Sequence, residues 1–226
     1  MSEVRVAVYY APQNEDPLFA AGASWLGRDP KSEAATPQPG LSGIEEITAE
    51  PRRYGFHATL KPPMRQARGT TLTDVAEAAR SLADRIAPFD LPQLAVTDLH
   101  GFLALRETEP APALQALADI CVAELDCFRA PPSADELARR RRAGLSPVED
   151  ALLTRWGYPY VFGAWFFHMT LTRRLSAAEH ALWRPATETY FARALALPRR
   201  VADLCLFTQS DGSTPFRLAV RIPLRG

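Results

Sequence analysis

Val4, Val6 and Val8 alternate with Arg5, Ala7 and Tyr9 up to Tyr10, the period-two pattern of a half-buried strand. A helical period follows further on. Val75, Ala79, Leu82 and Ile86 follow one another at single-turn spacing behind a start at Thr71 or Thr73, which sets one apolar stripe against a core. Residues 28–51 show little apolar periodicity and contain Pro30, Pro37, Pro39, Gly40, Gly43 and Pro51, so a long surface loop is expected there. A strand is expected to end near Leu60, with Pro62 and Pro63 as turn residues, and two more strands over 91–97 and 101–106.

The middle of the chain reads as helical. Residues 112–128 have helical character, Ser133 with Glu136 makes a capping-box pair, and Ser146, Pro147 and Glu149 combine an N-cap, an N1 proline and a reciprocal acid, with Gly157 as the stop. An aromatic-rich strand over 160–172 comes next, then a helix opened by Ser176 and Glu179 and running to about Ala196, then strands over 201–209 and 216–224. Strand, turn, capped helix, strand, strand thus occurs twice. The pattern predicts an α+β fold of antiparallel strands with helices on one side, in two related halves (about 1–110 and 157–226) separated by a helical insert at about 111–156.

Matching points of the two halves carry the candidate chemistry. The first reads Phe56-His57-Ala58-Thr59-Leu60 and the second Phe167-His168-Met169-Thr170-Leu171. Strand parity sets His57 and Thr59 on one face and Phe56, Ala58 and Leu60 on the other, and divides the second motif in the same way. Two imidazoles and two hydroxyls suit displacement at phosphorus. One ring takes a proton, the other gives one, and the threonines donate hydrogen bonds to the non-bridging oxygens. Either ring fits either role at this level.

Composition narrows the field. In 226 residues, 26 Lys plus Arg balance 26 Asp plus Glu, so no global positive field draws in long nucleic acid, and an anionic substrate must be held locally. The three cysteines lack metal-type spacing and a disulfide framework, which points to a reducing cytoplasm. No signal-peptide core follows the first strand, and the longest uncharged stretch, 156–172, falls short of a membrane span. Four scattered histidines offer no zinc pattern, and neither G-x-x-x-x-G-K-[ST] nor G-x-G-x-x-G occurs, so no metal or cofactor is expected.

The two His-x-Thr motifs, spaced by about half the chain, resemble the signature of the 2H phosphoesterase superfamily. The segments Trp25-Leu26-Gly27-Arg28-Asp29, Tyr54 to Pro63 and Phe167 to Thr172 are similar to its DUF1045 branch, often encoded beside phosphonate-utilisation genes. The resemblance spans essentially the whole chain. It implies a bilobal fold around a central cleft, with His57, His168, Thr59 and Thr170 as functional residues and metal-free chemistry on cyclic phosphates. An association with phosphonate breakdown would imply a ribose cyclic phosphate.

Around these four, Lys61 shares the parity of His57 and Thr59 and is a candidate phosphate ligand; Arg53 lies on the same side by parity and Tyr54 does not, an order that a twist or bulge would reverse. Tyr160, Phe162 and Phe166 share the face of His168 and are candidates for stacking on a base or sugar, Tyr160 foremost. Arg139 to Arg142 read as a solvated helix end, and His100 and His180 as surface or packing residues. The expected function is a cytoplasmic cyclic phosphodiesterase acting on a small phosphorylated substrate. The alternatives are an enzyme that opens or ligates RNA 2',3'-cyclic phosphate ends and a non-catalytic nucleotide-binding module.

Overall fold

The structure, a computed structural model, describes residues 4–142 and 144–226. Among the described residues, nine strands and seven α-helices follow in chain order: β1 Arg5–Tyr10, α1 Pro17–Leu26, α2 Ile44–Arg52, β2 Ala58–Arg65, α3 Leu72–Ala83, β3 Phe89–Leu91, β4 Leu94–Leu99, β5 Phe102–Glu107, α4 Pro112–Glu124, α5 Ala134–Arg141, α6 Pro147–Trp156, β6 Met169–Thr170, α7 Ala177–Leu195, β7 Arg199–Val201, β8 Asp203–Gln209 and β9 Arg217–Pro223. The fold class is α+β, and every strand pair is antiparallel.

Seven strands form one sheet in the order β4-β5-β6-β2-β1-β8-β9, and β3 pairs with β7 apart from it. The two sequence halves therefore interleave. β6 of the second half lies between β5 and β2 of the first, and β8–β9 extend from β1. The helices cross over in the same sense, since α3 packs on β8 and β9 while α7 packs on β4. A division by sequence position thus differs from a division in space, because each half completes the sheet of the other.

One sheet face is dry. Val8 and Tyr10 of β1, Ala58 and Leu60 of β2, and Leu204 and Leu206 of β8 point into the main core under the helices. The opposite residues of β1, Ala7 and Tyr9, form a smaller cluster with Cys205, Phe207 and Phe216 on the other face. That second face carries the cleft.

Local signals set most of the helix starts. Ser133, Ser146 and Ser176 each accept from the N3 backbone while Glu136, Glu149 and Glu179 reach back, and Thr71 with Asp74 does the same for α3. Two expectations need correction. Residues 28–51 are not all loop, because Ile44, Ile47, Thr48 and Pro51 make the buried stripe of α2, too short a run to register as a period. The segment is also fastened: Arg28 donates to the carbonyls of Arg52 and Phe216, and Gln38 to Thr48 and the Trp25 carbonyl. The aromatic-rich stretch 160–172 contributes only Met169–Thr170 to a strand, since its earlier backbone donors close short turns onto Val161 and Phe162.

Candidate active site

β2 and β6 meet at one residue pair, Ala58 opposite Met169. An antiparallel register centred there sets His57 level with Thr170 and Thr59 level with His168, so the two motifs are related by a local two-fold axis. Phe56, Ala58 and Leu60, like Phe167, Met169 and Leu171, are fully buried, which turns all four polar side chains to the other face. Diagonal neighbours in such a pair have Cβ atoms roughly 7 Å apart, close enough for both rings to border one small cavity. His57, Thr59, His168 and Thr170 indeed line one cavity of about 260 Å³. His57 and Thr170 also border a larger neighbouring hollow of about 570 Å³.

Two tryptophans brace the short pairing. Trp165 donates its indole N–H to the Thr59 carbonyl at 2.8 Å, and Trp25 donates to the Leu171 carbonyl at 3.0 Å. Each ring of the histidine pair is oriented by the backbone two residues earlier. His57 Nδ1 lies 2.9 Å from the Gly55 carbonyl, and His168 Nδ1 lies 3.2 Å from the Phe166 carbonyl. A carbonyl only accepts, so Nδ1 carries the proton and the neutral ring keeps its lone pair on Nε2. His57 Nε2 is 3.3 Å from Thr59 Oγ1. Gly55 makes this possible: its φ is +77°, and a Cβ there would lie 2.8 Å from Pro30.

The surroundings of the rings differ. Tyr9 stacks on His57 with ring centroids 3.7 Å apart, and Phe207 lies at 6.1 Å. Desolvation by this packing pushes the His57 pKa down to about 4, with the charge of His168 adding to the effect. His168 is flanked by Phe166 and Phe102 at 4.9 and 6.2 Å. Its pKa is lowered by desolvation and by the guanidinium of Arg106, which itself packs over Phe166.

Not every expected residue joins this group. Lys61 does not reach the cleft: its ammonium is buried under α4, donating to the Val122 carbonyl at 3.1 Å and to Asp126 at 3.3 Å. The reason is a bulge. Tyr9 pairs with Thr59 but Val8 with Lys61, so one extra β2 residue intervenes and Lys61 turns to the helix-covered face. A second irregularity opposite Val6 and Val8 lets β2 run through Pro62 and Pro63 to Arg65, where a strand end was expected. Tyr160 also stays outside, exposed and edge-on to Tyr158, and it is Tyr158 that lines the cavity. Phe162 packs on Trp156. Tyr54 is at the cleft and stacks on Phe216, whereas Arg53 reaches away to the Gly212 carbonyl, because the left-handed Gly55 reverses the parity before His57.

Sequence reasoning missed Arg5, Tyr9, Tyr158 and Arg140, which complete the cavity wall. Alternation along β1 carries the signal for Tyr9, whose parity opposes that of Val8. Nothing local marks Arg140 or Tyr158. They belong to the insert, which a chain of polar contacts ties to β2: Lys61 bonds Asp126, Asp126 holds Arg129 through both carboxylate oxygens, and Arg129 donates to the Arg155 carbonyl at 3.1 Å. Tyr158 follows three residues after Arg155. Among the described residues, no group of three or more His, Cys, Asp or Glu could hold a metal ion.

Two histidines of defined tautomer thus face one small cavity, and the sequence relationships give the family. The chain belongs to the family "Protein of unknown function (DUF1045)", whose model matches residues 59–217. It is 40% identical, over its full length and 52% of the relative, to a protein named ribose 1,5-bisphosphate phosphokinase PhnN from Janthinobacterium sp. (strain Marseille). It is 36% identical, over 95% of its length and 50% of the relative, to the protein of that name from Laribacter hongkongensis (strain HLHK9). The chain thus spans about half the length of these curated relatives. The crystal structure of E. coli LigT complexed with NADP+ matches over 100% of both chains at 14% identity and a TM-score of 0.48. No helix among the described residues is long and apolar enough to cross a membrane.

Proposed function

We propose that the protein is a metal-independent cyclic phosphodiesterase of the 2H type that hydrolyses a ribose or small nucleotide-like cyclic phosphate. The observation that carries this reading is the pairing of Ala58 with Met169, which brings two His-x-Thr motifs from distant parts of the chain to one cavity. Water attacks phosphorus as His57 Nε2 takes its proton, and the endocyclic P–O bond opposite breaks as His168 Nε2–H protonates the departing ribose oxygen. A phosphomonoester and a free hydroxyl result. Thr59 and Thr170 donate hydrogen bonds to the non-bridging oxygens, where charge accumulates in the transition state.

The packing supports this assignment of roles. Tyr9 and Phe207 desolvate His57 more severely, so the first proton bound by the pair goes to His168, which then serves as acid and leaves His57 as base. The anionic substrate favours this charged form on binding.

The relatives' names support ribose phosphate as the substrate class. Those proteins are named phosphokinases, yet this chain has no G-x-x-x-x-G-K-[ST] loop, which fits a kinase activity housed in their unmatched half. Two activities joined on one polypeptide would then act on related ribose phosphates, and a role in phosphonate metabolism accords with that.

The test is a screen of cyclic phosphates in chelator-treated buffer, including ribose 1,2-cyclic phosphate and 2',3'-cyclic nucleotides, followed by phosphorus NMR. Ring opening insensitive to EDTA is expected, and the product shift identifies the bond cut. Activity abolished by EDTA and restored by one divalent metal overturns the mechanism. A preference for oligonucleotide ends over mononucleotides makes the protein an RNA-end enzyme, and tight binding without turnover makes it a binding module.

A further inference from the structure

The cavity holds more positive charge than ring opening needs. A cyclic phosphodiester carries a single negative charge, yet two arginines, Arg5 and Arg140, line the cavity with the histidines, and no carboxylate lines it among the described residues. Arg5 is engaged, its Nε donating to Gln209 at 2.6 Å and its guanidinium lying over Phe216. Arg140 has no such commitment. Its guanidinium lies 4.7 Å from the Tyr158 ring centroid, and among the described residues it meets no carboxylate, whereas the next residue, Arg141, is paired with Asp150 at 2.6 Å. A guanidinium held over an aromatic ring by its charge still has N–H donors to offer to a phosphate oxygen pair.

The support beneath Arg140 is built for placement. Gly157 ends α6 in the left-handed conformation at φ 74° and delivers Tyr158 to the cavity, and a Cβ on Gly157 would press on Arg129, the residue that holds the Arg155 carbonyl. Helix α5, which bears Arg140, buries none of its residues and is held instead by Arg65 to Glu136 and Arg141 to Asp150. Its contribution is to the cavity rather than to the core.

We propose that Arg140, set by Tyr158, is a specificity-determining residue that binds a second anionic group of the substrate, a phosphomonoester remote from the reacting phosphorus, with Arg5 adding charge from β1. This deepens the cyclic phosphodiesterase reading and rests on it. The experiment compares a ribose cyclic phosphate with the same compound bearing an additional phosphomonoester. Wild-type kcat/KM should favour the doubly charged substrate by about 10- to 100-fold, the range of a charge-assisted hydrogen-bonded contact. Arg140→Ala should collapse that preference through KM, and Arg140→Lys should restore part of it. An equal loss on both substrates, or no preference in the wild type, overturns the assignment.

If the wild type turns over neither compound, the catalytic reading falls and binding decides the anion site. Calorimetric titration with ribose monophosphate and ribose bisphosphate should then still show tighter bisphosphate binding by the wild type, lost in Arg140→Ala. Equal affinities for the two ligands refute the site independently of catalysis.

Discussion

His57 stands in the centre of the sheet with Tyr9 covering one face of its ring, whereas His168 precedes a two-residue strand and is flanked by Phe166, Phe102 and the charge of Arg106. The motifs are alike in residue type, in the backbone carbonyl that orients Nδ1 and in their place about the Ala58–Met169 axis. They differ in what lies on the ring. A symmetric scaffold thereby surrounds its two imidazoles unequally, which biases the ring that takes the first proton of the pair.

The largest effects test whether the pair acts as a unit. His57→Ala and His168→Ala should each lower kcat by about 10²- to 10⁴-fold, and the double variant should be little worse than the poorer single. Near-wild-type turnover in either variant, measured on the substrate found by the NMR screen, would break the comparison outright. Next in size is the anchorage of the insert to the first motif's strand. Asp126→Ala leaves the Lys61 ammonium buried without its carboxylate and should destabilise the fold by about 3 kcal/mol in urea unfolding. A loss below 1 kcal/mol would mean that Lys61 finds compensation elsewhere.

The hydroxyls come next. Thr59→Val and Thr170→Val should each reduce kcat by about 10- to 100-fold, and a strongly unequal pair would extend the asymmetry from the rings to the oxyanion contacts. The pH profile sharpens the assignment of roles. Both free-enzyme pKa values are lowered, so kcat/KM should rise as pH falls from 7 and His168 gains its proton, then decline as His57 is protonated near a pKa of about 4. A maximum above pH 7 contradicts the assignment. The smallest effect is that of Arg106→Gln. Removing that cation favours the imidazolium, so the basic limb should shift upward by about a few tenths of a pH unit while the acidic limb stays in place. Movement of the acidic limb alone would reverse the two histidines.

Much of the fold was legible because its signals are local. The capping boxes at Ser133, Ser146 and Ser176 need only a serine and a glutamate three residues apart, and the His-x-Thr faces need only strand parity and their apolar flanks. Prediction failed where the controlling partner was remote. Lys61 was placed in the cleft because parity assumes a regular strand, and the bulge that turns it away arises from pairing with β1, more than fifty positions earlier. Tyr160 is a candidate only if a strand runs through 160–172, and turns around Val161 and Phe162 replace that strand. Arg140 read as a solvated helix end because nothing near it in sequence reveals the ring of Tyr158.

By itself, the sequence determined the α+β class, the capped helix starts and the identity of the four polar residues that face one cavity, because each of these depends on contacts within a few positions of the chain. Tertiary structure alone decided that the halves interleave, which histidine is the more deeply desolvated, and that an arginine of the insert reaches the same cavity. Those outcomes depend on packing between segments far apart in the chain, where the energy of a side chain is set by neighbours that its own stretch of sequence does not contain.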